Sequence, residues 1–277
     1  MPSSRSGRLV SVIMLLVCGI AVLSATPARA GTIVLDAKGV QDVNNLKAIV
    51  LALINYESVF ARLPAAFSVS NTNTPLLSWR VAILPYLGES ALYNQFDLTK
   101  PWDDPANLPL ISQMPSVFRS PGQAPGSTNT GYAAGFASGT MFEGSTGVKS
   151  SMAFDGTSNT ILVGETLNSG IPWTAPNDIV IGSCPTLGGS GFSSFVSGAV
   201  PFVFADGHVG FLPTNIDCAT LRGLFLRSDG LADTSAVQDY VAAAPVPEPA
   251  TLLSLATGLA ACGIRRRRGR HSPRAVR

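Results

Sequence analysis

Hydrophobic residues recur at spacings of three and four along "DVNNLKAIVLALINYESVFARLP", residues 42–64. This is the period of an amphipathic helix, so the segment predicts one helix over about residues 40–62. The apolar stripe consists of Val43, Leu46, Ile49, Val50, Leu53, Ile54 and Phe60. Asp42 or Asn44 is placed to cap the start of the helix, and Pro64 is placed to end it.

After Pro64 the apolar runs become short and are separated by Pro, Gly, Asn and Ser. The segment "LLSWRVAILPYLGESALYNQF" predicts a short helical or strand-like piece broken at Pro85, and "KPWDDPANLP" predicts a loop. The segments "TILVGE" and "VPFVFADGHVGFLP" are rich in β-forming residues, and Asp206-Gly207 separates two apolar runs as in a type I′ hairpin. The pattern therefore predicts one α+β domain, with its N-terminal helix packed on a mainly antiparallel β-sheet.

Residues 1–30 have the three parts of a secretory signal peptide. Two arginines precede an apolar run, residues 9–23, and Ala28 and Ala30 are the small residues that a signal peptidase reads. Cleavage is predicted before Gly31. The alternative is a permanent N-terminal anchor, for which an apolar run of about 15 residues is short.

A second apolar run, residues 250–264, is followed by a basic cluster. The cluster consists of Arg265, Arg266, Arg267 and Arg268. Such a cluster beside an apolar segment stays on the cytoplasmic side of a membrane. The pattern predicts a transmembrane helix at 250–264 in an inner-membrane precursor, a basic cytoplasmic tail at 265–277, and a body that faces outward.

The Pro- and Ala-rich linker at 241–249 contains Val246-Pro247-Glu248-Pro249. This motif, the apolar run and the arginine cluster, in that order, resemble the PEP-CTERM sorting signal. The resemblance implies a removable label that an exosortase-type membrane protease reads, and export to the cell surface or medium. The alternative is a lasting membrane anchor.

Charge and cysteine usage describe the body once the two ends are set aside. Ten of the 19 basic residues lie in the ends, whereas all 17 acidic residues lie in residues 31–249, which therefore carry a net charge of −8. An acidic body argues against nucleic-acid binding, which needs clustered Lys and Arg.

Cys184 and Cys218 are the body's two cysteines. In an oxidising compartment they form a candidate disulfide, and the sequence leaves a bonded pair and two free thiols as equal alternatives.

Five blocks carry a family resemblance over roughly residues 45–230. They are "NLKAIVLALINYESVFARLP", "SWRVAILPYLGESALYNQFDLTKPWDDPAN", "FDGTSNTILVGE", "IPWTAPNDI" and "FVFADGHVGFL". In this order they resemble the prepilin-like proteins grouped as domain of unknown function 1559, also called prepilin-type H-x(9)-DG proteins. The resemblance implies that residues 31–240 form a pilin-like domain with no established catalytic activity. Of the family signature only Asp206 and Gly207 remain, because position 196 is Val, and the leader lacks the family's Phe and Glu.

Candidate chemistry in the body is sparse. His208 follows a turn, and Asp155, Asp206 and Asp229 each precede a glycine. These carboxylates are candidate Ca²⁺ ligands, although Asp-Gly is equally a tight-turn dipeptide. Hydrolase, zinc-protease and nucleotide-binding motifs are missing, so the sequence predicts no cofactor.

Aromatic residues offer a different kind of site. Trp79, Trp102 and Trp173, with Tyr86 and Tyr93, are candidates either for core packing or for a surface that stacks on carbohydrate or binds protein. Trp102, in "KPWDDP", is the most loop-like of them.

The sequence thus predicts an exported, non-catalytic structural or interaction protein of the cell surface or extracellular space. Its predicted partners are signal peptidase, an exosortase-type protease and extracellular polysaccharide or surface proteins. Two alternatives remain: an exported enzyme that acts on glycans through paired carboxylates, and a pseudopilin subunit.

Overall fold

The computed structural model describes residues 32–242 of the protein. Its helices are α1 (Ala37–Phe60), α2 (Trp79–Ala82), α3 (Ser90–Tyr93) and α4 (Cys218–Phe225). Its strands are β1 (Ile33–Leu35), β2 (Phe67–Val69), β3 (Pro75–Ser78), β4 (Tyr132–Phe136), β5 (Ile161–Glu165), β6 (Ile179–Val180), β7 (Ala199–Phe204), β8 (Val209–Pro213) and β9 (Tyr240–Ala242). Short 3-10 helices occur at Leu84–Leu87, Leu108–Gln113, Ser116–Phe118, Ser150–Met152 and Thr157–Asn159. The predicted α+β class is confirmed.

Helix α1 confirms the helical period, but the predicted caps are wrong. Asp36 is the N-cap, and its side chain accepts a hydrogen bond from the backbone N–H of Gly39. Asp42, predicted as a cap, lies inside the helix and is fully buried. The helix ends before Pro64, at Ala61, whose φ of 58° places it in the left-handed region. The short strand β1 ends at Leu35, directly before the N-cap Asp36. The helical period of the sequence did not indicate this strand.

The apolar stripe of α1 is buried only as far as Leu53. Ile54 is 39% exposed and Phe60 is 53% exposed, although both were predicted to face the core. The last two turns of the helix therefore extend beyond the part that packs on the sheet, and they leave apolar side chains at the surface.

Five strands form the central sheet in the order β6-β4-β5-β7-β8. All neighbouring pairs are antiparallel except β4 and β6, which are parallel. Alternate side chains of β7 show how both faces are covered: Val203 packs in the same cluster as α1, whereas Phe202 and Phe204 pack in the cluster that contains α4. The sheet is thus buried between α1 on one face and α4 on the other.

The hairpin predicted around Asp206-Gly207 joins β7 and β8. Its turn is not type I′, because that turn needs a positive φ at two consecutive residues, and of the central pair only Gly207 has one, at 92°. The loop instead has three residues, Ala205 to Gly207, with backbone hydrogen bonds from Gly207 N to Phe204 O and from Phe204 N to His208 O. The extra residue lets Gly207 alone take the left-handed conformation.

Two long-range links join segments that are distant in sequence. β1 and β9 form a parallel two-stranded sheet, in which Ile33 pairs with Tyr240 and Leu35 with Ala242. A disulfide joins Cys184, which follows β6, to Cys218, the first residue of α4, with a Cα separation of 4.9 Å.

Among residues 32–242, no helix is both long enough and apolar enough to cross a membrane. The predicted signal peptide and its cleavage site at Ala28, Ala30 and Gly31 lie outside the described residues. So do the motif Val246 to Pro249, the predicted transmembrane helix at 250–264 and the arginine cluster.

Candidate functional site

The predicted chemical residues around Asp206 are engaged with one another. The Asp206 carboxylate accepts a hydrogen bond from the backbone N–H of His208 at 3.0 Å, and the same oxygen lies 2.6 Å from His208 Nδ1. The His208 ring stacks on Phe204 with a centroid distance of 4.3 Å. These contacts stabilise the β7–β8 turn.

Asp155 and Asp229, which the sequence offered as Ca²⁺ ligands, are brought together by the fold. The Asp155 carboxylate accepts hydrogen bonds from the backbone N–H groups of Asp229 at 2.9 Å and Gly230 at 3.0 Å. In the described part of the chain, no group of three or more His, Cys, Asp or Glu side chains is placed to hold a metal ion. The Asp155 carboxylate therefore links its own loop to the loop of Asp229 and Gly230 by hydrogen bonds.

The tryptophans divide between core and surface. Trp79 and Trp173 are at most 1% exposed, so both belong to the core. Each indole N–H is satisfied inside the fold: Trp79 donates to Asp178 at 3.0 Å and Trp173 donates to the carbonyl of Ile111 at 2.9 Å. Trp102, the residue predicted to be most exposed, is half-buried and packs against the same core.

An apolar pocket forms beside Tyr93, one of the aromatic residues that the sequence offered as a binding surface. It has a volume of about 160 Å³ and no charged residue in its lining. We call it the aromatic pocket; its lining residues are Tyr56, Pro64, Ala65, Ser68, Leu77, Ser78, Trp79, Val81, Ala82, Tyr93 and Leu98. Tyr56 also contacts the rings of Phe60 and Tyr86, at centroid distances of 4.4 and 5.8 Å. A cavity of about 150 Å³ is large enough for a six-membered ring, so the pocket can receive one apolar or aromatic group.

The aromatic pocket and the start of the sorting linker lie at opposite ends of α1. β9, after which the chain continues into the linker, pairs with β1, and β1 leads directly into the N-cap Asp36. Tyr56 lies 20 residues further along the helix, which corresponds to about 30 Å at a rise of 1.5 Å per residue. The pocket therefore lies about 30 Å along the helix from the end at which β1 and β9 pair.

A pair of carboxyl groups is buried between α1 and the sheet, and sequence reasoning missed it. Asp42, in the second turn of α1, and Glu165, the last residue of β5, are both fully buried. The Tyr132 hydroxyl donates to Asp42 Oδ1 at 2.5 Å, and the Ser120 hydroxyl donates to Glu165 Oε1. Burial raises the pKa of Asp42 to about 7 and, together with the charge of Asp42, raises the pKa of Glu165 to about 9.

The acid pair has the residue types of a glycoside hydrolase but not the access. Such an enzyme needs both carboxyl groups in contact with the sugar on either side of the bond to be cut. Asp42 and Glu165 have no exposed surface, and their hydrogen-bond donors come from the core. The geometry therefore favours a structural role for the pair.

A buried ion pair lies on the other side of Tyr132. The Arg80 guanidinium donates to Asp178 Oδ1 at 2.5 Å and to the carbonyl of Tyr132 at 2.9 Å. Asp178 also accepts from the backbone N–H of Ala134 at 2.8 Å. The sequence signal for both buried clusters is a single charged residue in an apolar run, as in "SWRVAIL" and "TILVGE".

Comparison with known proteins gives two family matches. Residues 40–178 match the family model described as Protein of unknown function (DUF1559), and residues 245–268 match the model of the PEP-CTERM protein-sorting motif. Comparisons with curated proteins and with solved structures found no match. The acid pair, Tyr132 and the Arg80–Asp178 ion pair all lie inside the first matched region.

Proposed function

Because the chain belongs to the family of proteins of unknown function DUF1559 and carries a PEP-CTERM sorting motif, we propose that it is an exported, non-catalytic protein of the cell surface or extracellular space. The sorting motif is the observation that carries this proposal. The motif marks the chain as an exported protein that an exosortase-type protease processes. The structural or interaction role, and a precursor stage at the inner membrane with Arg265 to Arg268 on the cytoplasmic side, belong to the proposal.

Several features of the body support a role without catalysis. The carboxyl groups with strongly raised pKa values are buried, where no substrate can touch them. The disulfide between Cys184 and Cys218 suits a protein that works in an oxidising compartment. Helix α1 across a mainly antiparallel sheet supports the proposed pilin-like architecture. A pseudopilin, in contrast, needs an apolar helix that runs unbroken into the body helix, whereas β1 and the Asp36 cap precede α1.

We place the contact surface of this interaction protein at the aromatic pocket. Apolar and aromatic side chains around a concave site are the usual composition of a binding surface. Leu98 is 44% exposed at the rim, and the nearby Phe60 is also exposed. The pocket and β9 lie at opposite ends of α1, so a body held near a membrane by its C-terminal side would keep the pocket away from the point of attachment.

The sorting step is tested by Glu248→Gln, with Glu89→Gln as a matched control in the body. Intact-mass analysis of cell fractions reports both the cut before Gly31 and the cut near Pro247. We expect Glu248→Gln to lose the second cut and to stay with the membrane fraction, whereas Glu89→Gln behaves like the parent. Normal processing and export of Glu248→Gln would contradict the sorting role assigned to this residue.

The contact surface is tested separately, with exported protein and isolated cell envelopes or extracellular polysaccharide. Leu98→Glu places a charge at the rim of the aromatic pocket and should weaken retention by at least tenfold, since a charge is costly to bury against an apolar group. Leu231→Glu is the control, because Leu231 is 64% exposed and outside the pocket lining. Equal retention of both variants and the parent would exclude the pocket as the contact surface.

A further inference from the structure

The acid pair has two oxygens without a hydrogen-bond donor. Asp42 Oδ2 and Glu165 Oε2 are both buried and unpartnered, while the other oxygen of each carboxyl accepts from Tyr132 or Ser120. Tyr132, whose hydroxyl donates to Asp42, is paired with Glu165 across β4 and β5, so the two carboxyl groups lie on the same face of the sheet beside one another. Two unpartnered carboxyl oxygens in one buried site can share a hydrogen bond only if one of them carries a proton.

The groups around the pair supply hydroxyl and amide contacts but no cation. Helix α1 contributes the Asn45 amide, which donates to the Tyr132 hydroxyl at 3.0 Å and to the carbonyl of Arg119 at 3.2 Å. Tyr132 comes from β4, Ser120 from the loop before β4, and the Ser194 hydroxyl from the segment before β7 contacts Glu165.

The two arginines that contact this part of the fold point elsewhere. The Arg119 guanidinium donates to the carbonyl of Ser127, and the Arg80 guanidinium donates to Tyr132 O and Asp178. Within residues 32–242, neither carboxyl of the pair has a salt bridge. Two adjacent negative charges with no cation in a buried site are strongly unfavourable.

We propose that Asp42 and Glu165 form a proton-bridged acid pair that fastens helix α1 to strand β5, and that loss of the bridging proton as the external pH rises weakens this contact. In the bridged state the Glu165 carboxyl O–H donates to Asp42 Oδ2, so that both unpartnered oxygens are satisfied. When the proton leaves to water, two carboxylates face each other, and the contact between helix and sheet becomes repulsive.

The direction of the pH effect follows from the protonation of the two states. In the unfolded chain both acids lose their protons near pH 4, whereas in the folded protein burial holds the pKa of Asp42 at about 7 and that of Glu165 at about 9. The folded protein therefore binds more protons above pH 4, and its stability falls as the pH rises. Between pH 7 and pH 9 one proton differs, so the unfolding equilibrium constant should rise about tenfold per pH unit and level off above pH 9.

The test measures guanidinium unfolding of the exported protein at pH 7, 8, 9 and 10, followed by the fluorescence of the buried Trp79 and Trp173. We expect the unfolding constant of the parent to rise about a hundredfold from pH 7 to pH 9. Glu165→Gln should abolish this rise, because its amide is neutral and can donate to Asp42. The control Asp103→Asn removes an exposed carboxyl and should keep the slope of the parent.

A second measurement does not depend on whether the variant folds. Infrared difference spectra of the parent between pH 8 and pH 10 should show the carbonyl band of one protonated carboxyl disappear. Two ionised carboxylates would not produce this band. The proposal is overturned if the parent has no protonated carboxyl at pH 8, or if its stability is flat from pH 7 to pH 9.

Discussion

Removal of the disulfide should cost the body a large part of its stability. Cys184 and Cys218 are 34 residues apart, so their bond closes a loop of about 35 residues in the unfolded chain. Closing such a loop removes about 13 cal/mol/K of chain entropy, which corresponds to about 4 kcal/mol at 25 °C. Because domains of this size are stable by about 5–15 kcal/mol, the loss is a sizeable fraction of the total.

The perturbation is the double variant Cys184→Ser/Cys218→Ser. Both residues lie at least partly exposed, so the serine hydroxyls can be solvated and should add little cost of their own. Guanidinium unfolding under oxidising conditions should show a loss of about 4 kcal/mol, and Tm should fall by roughly 8–16 °C, at 2–4 °C per kcal/mol.

Reductant provides the internal control for this prediction. A thiol reductant should destabilise the parent to the level of the double variant and should leave the double variant unchanged. A loss below about 1 kcal/mol in the variant would refute the loop-entropy estimate. Equal sensitivity of parent and variant to reductant would show that the reductant does not act by cleaving this bond.

Three further substitutions test the packing around the site. Asp178→Asn leaves the buried guanidinium of Arg80 without its counter-charge and should cost about 3–5 kcal/mol in denaturant unfolding. Gly164→Ala would place a Cβ 2.3 Å from a ring carbon of a buried phenylalanine on β7, and should lower stability by about 1–3 kcal/mol in thermal unfolding. Gly207→Ala, at a φ of 92°, should cost about 1–2 kcal/mol and speed amide exchange in the β7–β8 hairpin. Gly182→Ala is the matched control for both glycines, because no atom within 4 Å would meet its Cβ and its φ is not in the left-handed region. A control loss as large as theirs would contradict both the close contact argued at Gly164 and the backbone strain argued at Gly207.

The helix and the hairpin could be predicted because their signals are local. The stripe from Val43 to Leu53 and the turn residues around Gly207 depend on neighbours in the chain. The precise cap could not be predicted, since Asp42 satisfies the same capping preference as Asp36 when only the sequence is considered. What distinguishes them is the hydroxyl of Tyr132, which is 90 residues away from Asp42 in the chain.

The buried clusters and the aromatic pocket could not be predicted for the same physical reason. A charged side chain is buried only when a partner arrives from another element, as Asp178 does for Arg80 across 98 residues. Likewise, the loop-like surroundings of Trp102 in the sequence predicted an exposed side chain, and only packing against the core makes it half-buried. Both outcomes depend on contacts between residues that are far apart in the chain, and such contacts produce no periodic pattern in the sequence.

The parallel pairing of β1 and β9 determines how the body responds to force. Ile33 pairs with Tyr240, and Leu35 with Ala242, so the strands run side by side in the same direction, and a pull applied along β9 is parallel to both. Such a pull loads the hydrogen bonds between the strands in shear, and they must break together; peeling would break them one by one. Gln238, just before β9, adds two backbone hydrogen bonds to Phe211 on β8, which shares the load with the central sheet. Tension from a C-terminal attachment would thus be resisted at the edge of the body before it reaches α1.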